Sequence, residues 1–438
     1  MTYTIFELNY SENLQQNYQK LAMLPGYVLL ESADKSRGRY DILSAYPYDS
    51  LQLDDANSSA LLERITKSIG NVPSNLDLPF QGGAIGYLSY DWAAKRSQIP
   101  CVPQMGLKGM PLAYFGFYDW AIITDHHLKK VILFSANTRP DTEVLVQEVV
   151  EHWNADRHEC AESFQMLQNF NPLIEREAYR QSFQTIHECL QEGRCYQVNY
   201  SLPFNARYEG STWGVYQRIR QANPVPFAAF MRLGQEEVLS FSPERFMLQE
   251  GLKMLTSPIK GTIKRGLNAL EDEENKKQLR SSEKNKAENI MIVDLLRNDF
   301  GKIAEPGSVR VTSLCEIQSF RGVHHLVSHI EAVRKQDISP FAAFLDCFPG
   351  GSITGAPKLE SMKVIAEQEK YARGVYCGSI VYLSRHGRFD SNIAIRTITA
   401  RNNILHLSAG GGIVIDSDWE DEYCECLTKI AAITNVLT

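Results

Sequence analysis

The 438-residue chain lacks the marks of several large protein classes. No apolar run approaches the ~20 residues that cross a bilayer, which excludes a membrane-spanning role. No basic excess is present: 45 Lys and Arg stand against 52 Asp and Glu, a net charge of −7, which excludes a nucleic-acid footprint. There is no C-x-x-C pair among the nine cysteines, and Cys424 and Cys426 are too close together for zinc spacing. An odd, scattered set of thiols fits a reducing cytoplasm. The opening MTYTIFELNYSENLQQ turns polar too early for a signal peptide, so the expected location is cytoplasmic. Internal repeats and low-complexity tracts are missing. What is there is 44% hydrophobic and 22% charged residues, enough for a full globular core.

Residues 1–155 mix strands and helices, 156–175 read as a linker, and 176–438 form the second region. AYFGFYDWAIITDHHLKKVILFSANT reads as two strands around a polar turn at Asp125–His127. KRSQIPCVPQMGLKGMP is a Pro/Gly loop. Tyr179, Phe183, Ile186 and Leu190 predict a helix from about Arg176, stopped by Gly193. CYQVNYSLPF is a strand, a hairpin turns at Gly251, and a helix runs through AENIMIVDLLRNDF. The charged stretch Lys264 to Lys286 reads as a solvated face. GVYCGSIVYLS, RFDSNIAIRTITAR and ILHLSAGGGIVI predict an antiparallel meander. Hairpin counting then sets Tyr376, Arg396 and Gly410–Gly412 at one level across three strands. The last helix, from about Glu420, is expected to bury Tyr423, Leu427, Ile430 and Thr434.

Several residues look chemical. Arg396 mid-strand, beside a tyrosine and three glycines, is either a carboxylate cradle or an exposed arginine at a bulge. Glu288 shares a helical face with Met291, Ile292 and Leu295, where an unpaired charge is costly. Glu422 and Glu425 point the same way, off the apolar stripe of the last helix. They serve either the helix dipole or, with Glu288, a hard cation such as Mg²⁺. Glu244 in SFSPERF is either an Arg-paired structural acid or a general acid. FPGGSITGAPK is a tight turn into a helix and not a P-loop, since no Gly-Lys-Ser/Thr follows the glycines. Lys260, between Pro258–Ile259 and Gly261–Thr262, is a long cation among small and apolar residues.

SPERF, PIKGT, AENIMIVDLLRND, VHHL, FPGGSITGAPK, YCGSI, IAIRT, AGGGIV and DEYCE occur in an order and spacing that resemble the chorismate-utilising enzymes. The resemblance is strongest from about residue 175 onward and includes LLES and FQGGAIGYLSYD earlier. It implies a mixed α/β (α+β) fold: two facing antiparallel β-sheets flanked by helices, with the N- and C-terminal portions interwoven. It implies Mg²⁺ held by Glu288 and Glu425, with Glu422 beside them, gripping the ring carboxylate of chorismate. Arg396, Tyr376, Gly410, Gly411 and Gly412 then match carboxylate- and ring-binding positions, with Gly261 and Thr262 in the same pocket. His325 matches an active-site histidine and Glu244 a general acid for the leaving 4-hydroxyl.

Two positions discriminate within that family. Gln197 stands where water-adding relatives resemble one another in carrying a lysine base. Lys260 stands where anthranilate-forming relatives carry a small residue and the members that aminate ring carbon 4 carry lysine. The resemblance therefore implies amination of chorismate at carbon 4, through a covalent bond to Lys260, feeding 4-aminobenzoate and folate. Lys264 is a candidate for the neighbouring cation that activates it. Because no G-x-C-x-G nucleophile elbow is present, ammonia is expected from a separate glutamine amidotransferase subunit. LLES, with Ser32, resembles the family's tryptophan pocket, making tryptophan an expected ligand. The rival readings are an anthranilate-forming subunit and a non-catalytic sensor of chorismate or tryptophan.

Overall fold

The computed structural model describes residues 3–11, 13–35, 37–70, 72, 74–100, 107–155, 163–320 and 322–437. Parts of the expected loop at 95–111 and linker at 156–175, with Cys101 and Cys160, lie outside them. The first region forms β1 (Thr4–Leu8), α1 (Leu14–Leu21), β2 (Val28–Glu31), β3 (Tyr40–Ser44), β4 (Asp49–Leu53) and α2 (Ser58–Ile69). It continues with β5 (Gly83–Leu88), α3 (Tyr90–Arg96), β6 (Ala113–Tyr118), β7 (Trp120–Asp125), β8 (Lys130–Ser135) and α4 (Thr142–Asn154). Then come β9 (Phe164–Met166), β10 (Asn171–Pro172), α5 (Arg176–Gln191), β11 (Gln197–Gly210), α6 (Thr212–Ala222) and β12 (Phe227–Arg232). Next are β13 (Glu237–Ser242), β14 (Arg245–Glu250), β15 (Lys253–Thr256), β16 (Ile259–Lys264), α7 (Ala269–Ser281) and α8 (Glu283–Ile303). β17 (Arg310–Ser319), β18 (Val323–Val333), α9 (Pro340–Cys347), β19 (Gly355–Ala356) and α10 (Lys358–Gln368) follow. The chain ends with β20 (Ser379–Ser384), β21 (Phe389–Asn392), β22 (Thr397–Arg401), β23 (Ile404–Ile413) and α11 (Trp419–Thr434).

The strands make two antiparallel sheets with helices against them, as the resemblance implied. The first sheet runs β1-β8-β7-β3-β2-β12-β13-β22-β23-β11-β10, and the second runs β16-β18-β15-β14-β21-β20-β5-β6-β4. Both take strands from before residue 155 and after residue 176. Alternate residues along a strand separate two cores. Leu29, Leu43 and Phe230 join the larger cluster with Tyr18, Trp153 and Trp213 from helices, while Val28, Ile42 and Met231 join the smaller one.

Four strands pass directly from one sheet to the other. β3 and β7 are neighbours in the first sheet, and their continuations β4 and β6 are neighbours in the second. β13 and β22 are likewise paired in the first sheet, and β14 and β21 in the second. The result is two corners, one at 45–48 and 119, the other at 243–244 and 393–396. Such corners are how strands switch between packed sheets.

The corners correct three sequence expectations. The 113–138 stretch holds three strands, since Asp119 ends β6 and the chain enters the other sheet as β7. Its carboxylate accepts bonds from the Thr138 N–H (2.8 Å) and the Thr142 hydroxyl (2.8 Å), which fixes the break. The expected meander is two hairpins, β20–β21 in the second sheet and β22–β23 in the first. Arg396 therefore lies in the crossover at φ +52°, not mid-strand. Glu244 also sits in a crossover, not in a strand. Side-chain patterning cannot reveal the first corner, because β6 and β7 on either side of it are buried on both faces.

Other expectations hold. α5 buries Tyr179, Phe183, Ile186 and Leu190, and Gly193 at φ +74° follows it. β14 and β15 turn at Gly251 with Glu250 opposite Lys253. A buried ion pair ties this region together. Arg373 donates to Glu369 at 2.7 Å and 2.9 Å, and to the carbonyls of Ile353 and Asn199. Glu369 also accepts from the Ser201 N–H and hydroxyl, and the two side chains are 2% and 5% exposed. Arg373→Met would leave a carboxylate buried without its cation. The expected loss is about 3–5 kcal/mol of unfolding free energy, read from the urea midpoint.

Candidate active site

The second corner places the first acid. The Ile393 N–H donates to the Glu244 carbonyl (3.0 Å), and the Phe241 N–H to the Arg396 carbonyl (3.0 Å), so the crossovers hold each other. Glu244 is 6% exposed. Its Oε1 accepts from the Ser352 hydroxyl at 2.9 Å. Burial pushes the carboxyl up to about 7, against the opposing effects of Ser352 and Lys260. A carboxylic acid poised there can give up a proton near neutral pH.

Lys260 lies on β16 at a bulge. It pairs with Leu326, while Thr262 pairs with His325, so Gly261 is the extra residue. Gly261 sits at φ +70°, and a Cβ there would approach Asn285 and Leu279 side chains at 3.0–3.1 Å. The bulge explains why a small residue must follow the lysine. Burial pushes the Lys260 ammonium below its ordinary value, Glu288, Glu244 and Glu425 pull it back, and Lys429 adds to the lowering. Lys264 takes no part in this balance, so the expected neighbouring cation is Lys429 instead.

The acids Glu288, Glu422 and Glu425 come from two helices, α8 and α11. α8 packs on β16 and β18, and α11 packs on β23. The Ser282 hydroxyl caps α8 by accepting from Asn285 N–H, and Asp418 caps α11. The buried stripe of α11 is Glu422, Cys426, Ile430 and Ile433. Leu427, expected inside, is 37% exposed, and Glu422, expected off the stripe, is 6% exposed. Hydrophobic counting places an acid outside, but Glu422 turns inward and its Oε1 accepts from the Ser417 hydroxyl at 2.7 Å. Burial raises both Glu288 and Glu422 above the usual carboxylate range, and Glu425 adds to each.

The glycine run of β23 gives these acids room. A Cβ at Gly411 would meet Glu422 Oε2 at 2.5 Å and Glu425 Oε1 at 3.9 Å. One at Gly412 would meet the Gln197 amide nitrogen at 2.8 Å. Gln197 is fully buried, and neither its amide nitrogen nor its oxygen has a partner. Orphaned amide atoms beside bare glycines are what a polar ligand would satisfy. Hard carboxylate oxygens under mutual repulsion fit Mg²⁺, which needs few protein ligands. Among the described residues no three acidic, histidine or cysteine side chains already converge as a metal cluster. Water and an anionic ligand would complete such a set.

His325 is 4% exposed, with Nδ1 at 2.8 Å from the Thr262 hydroxyl and its ring edge-on to Phe320 at 4.9 Å. Burial and then Arg396 push it down to about 4, so it is neutral at physiological pH. Burial pushes Arg396 down, and among the described residues no carboxylate is found to offset it. A half-buried guanidinium of that kind is suited to an anion. Tyr376 is buried, and its charge environment includes Cys426 of α11. Ser32 lies elsewhere, in a cavity of about 410 Å³ lined by residues of both sheets, including Arg39, Tyr40, Phe227, Arg245 and Asp390. Its hydroxyl donates to the Tyr40 carbonyl at 3.0 Å. Sequence reasoning missed Ser352 and Lys429. Ser352 follows the two glycines of FPGGSITGAPK, and Lys429 is four residues beyond Glu425, a spacing that was the available signal.

The family model of chorismate binding enzymes matches residues 25–435. Aminodeoxychorismate synthase component 1 of Escherichia coli (strain K12) is 38% identical over 438 residues, covering 96% of this chain and 95% of that protein. Anthranilate synthase component 1 of Lactococcus lactis is 32% identical, covering 93% and 94%. Among solved structures, anthranilate synthase component I from Streptococcus pneumoniae superposes with a TM-score of 0.82 at 30% identity, covering 91% and 92%. The isochorismate synthase MenF of Escherichia coli shares the fold, with a TM-score of 0.78 at 15% identity. The chain belongs to the family of chorismate binding enzymes and is a chorismate-utilising enzyme.

Proposed function

We propose that the protein aminates chorismate at ring carbon 4, giving 4-amino-4-deoxychorismate. The observation that carries this reading is a half-buried Lys260 on a β-bulge, within reach of the charges of Glu288 and Glu244. Relatives named aminodeoxychorismate synthase component 1 support it, and the word component supports a second subunit delivering ammonia from glutamine. Magnesium, bound through Glu288, Glu422 and Glu425, would neutralise the ring carboxylate of chorismate.

The neutral Lys260 amine adds at ring carbon 2. The double bonds shift, and the carbon 4–oxygen bond breaks. Glu244 gives its proton to the departing hydroxyl, which leaves as water. Ammonia then adds at carbon 4, the double bonds shift back, and Lys260 leaves as the free amine. The Glu244 carboxylate takes the surplus proton from the new ammonium, which restores the starting state. An ordinary lysine is neutral in only about one molecule in 2,500 at pH 7, so burial of Lys260 acts in the needed direction. Gln197 has no basic nitrogen to activate water, which disfavours water at carbon 2. Arg396, Tyr376, Gly261, Thr262 and Gly410–Gly412 hold carboxylates and ring, and His325 lies at their edge as a neutral donor or acceptor. The cavity around Ser32 is the proposed tryptophan site, with charged groups of both signs for an amino acid's two ends.

Incubation with chorismate, Mg²⁺ and ammonium, followed by a pyruvate-eliminating lyase, is expected to yield 4-aminobenzoate. Fluorescent anthranilate formed without the lyase would show the rival reaction. Intact-mass spectra with ammonia withheld should show a chorismate-derived adduct on Lys260. A Lys260→Ala protein that turns over as fast as its parent removes the covalent route. Glu244→Gln should slow amination by about 10²–10⁴-fold. The same variant carries a stability signature. The folded Glu244 keeps its proton up to about 7, whereas an unfolded glutamate releases it near 4.5. Stability therefore falls as pH rises through that window, by up to about 3 kcal/mol, and urea midpoints of Glu244→Gln should lack this slope.

A further inference from the structure

Glu422, Glu425 and Lys429 follow one another at spacings of three and four, so α11 presents them on one face. Lys429 Nζ lies 2.6 Å from Glu425 Oε1 and donates to the Gly410 carbonyl at 2.7 Å. It thus ties an acid of the site to the strand whose glycines make room for the acids. The two side chains are 39% and 51% exposed, which leaves the ammonium free to turn away. Lys260, Lys284, Glu288 and Glu425 lie near enough for their charges to act on one another. A folded site with these acids and no counter-charge would repel itself. A metal ion about 2.1 Å from the oxygen that now holds Lys429 would face a second cation across one atom.

We infer that Lys429 is a built-in stand-in for the divalent cation, occupying Glu425 until the metal displaces it. The inference rests on the metal reading of the acids given above. Lys429 holds α11 to β23 at Gly410 while the site is empty of metal. It then yields Glu425 and keeps its charge beside the site. The arrangement makes Lys429 a positioning residue with two opposed effects: it supports the metal-free fold and it weakens metal binding.

Mn²⁺ titration followed by the electron paramagnetic resonance of free Mn²⁺ tests this with the full-length chain. Lys429→Met should bind Mn²⁺ about fivefold more tightly, the factor for an ion pair worth up to about 1 kcal/mol. Lys429→Arg, which keeps the cation, should bind no more tightly than the parent. Lys284→Met removes a nearby charge without an ion pair to Glu425 and should change affinity less than about twofold. The metal-free melting temperature of Lys429→Met should fall, while its rise on adding Mn²⁺ should exceed the parent's. A crystal structure with Mn²⁺ should place Nζ beyond about 4 Å from Glu425 Oε1. Unchanged or weaker binding by Lys429→Met overturns the inference. So does Mn²⁺ held on Oε2 with Lys429 still on Oε1, and both results leave the metal site itself intact. Absence of Mn²⁺ binding in parent and variants alike overturns the metal reading together with it.

Discussion

The arrangement depends on one constraint: a strand that belongs to two sheets must break its ladder where it turns. At that break the backbone cannot pair along both sheets, and its side chains are released from strict alternation. Pro243–Glu244 and residues 393–396 make such a break twice over, and the two halves bond to each other. The polypeptide thereby presents a glutamate and an arginine from the seam of the molecule, held by main-chain bonds and not by flexible loops. Lys260 follows the same logic on a smaller scale, since a bulge at Gly261 breaks its ladder too.

The site is a balance of charges that none of its members would tolerate alone. Glu244 is shifted up by burial and Lys260 down, and each partly offsets the other. Neither is locked in a direct ion pair among the described residues. Elsewhere the protein does lock its buried charges, as Arg373 and Glu369 show at 2.7 Å. The contrast separates structural charge from charge available to a ligand. Arg396 belongs with the second kind, since among the described residues no carboxylate is found to offset it, and the orphaned amide atoms of Gln197 are its neutral counterpart.

Much of this was legible from residue order. The helix from about Arg176 followed from periodicity, the one through 287–300 was expected within what the structure shows as Glu283–Ile303, and the Gly251 hairpin followed from its turn residue. The candidate residues Lys260, Glu244, Glu288 and Arg396 stood out because a charged side chain among apolar or small neighbours demands a reason. What stayed hidden was where strands change sheets. Asp119 and Glu244 are polar residues inside long strand-like runs, and alternation on either side continues as though nothing had happened. The inward turn of Glu422 was hidden for a related cause: hydrophobic counting assigns an acid to the outside. For Lys429 the spacing to Glu425 was readable, whereas the bond to the Gly410 carbonyl exists only in three dimensions.

The interleaving of the two sheets reaches beyond the folded state. β2 pairs with β12, and β5 with β20, so strands near residues 28 and 86 wait for partners near residues 231 and 381. During synthesis β2 therefore keeps an open edge until about two hundred further residues have emerged, and β5 until about three hundred. Open edges are templates for wrong pairing, and pairings so distant in sequence close slowly. The same sharing of strands that brings Glu244 and Arg396 to the seam leaves strand edges unpaired until late in synthesis.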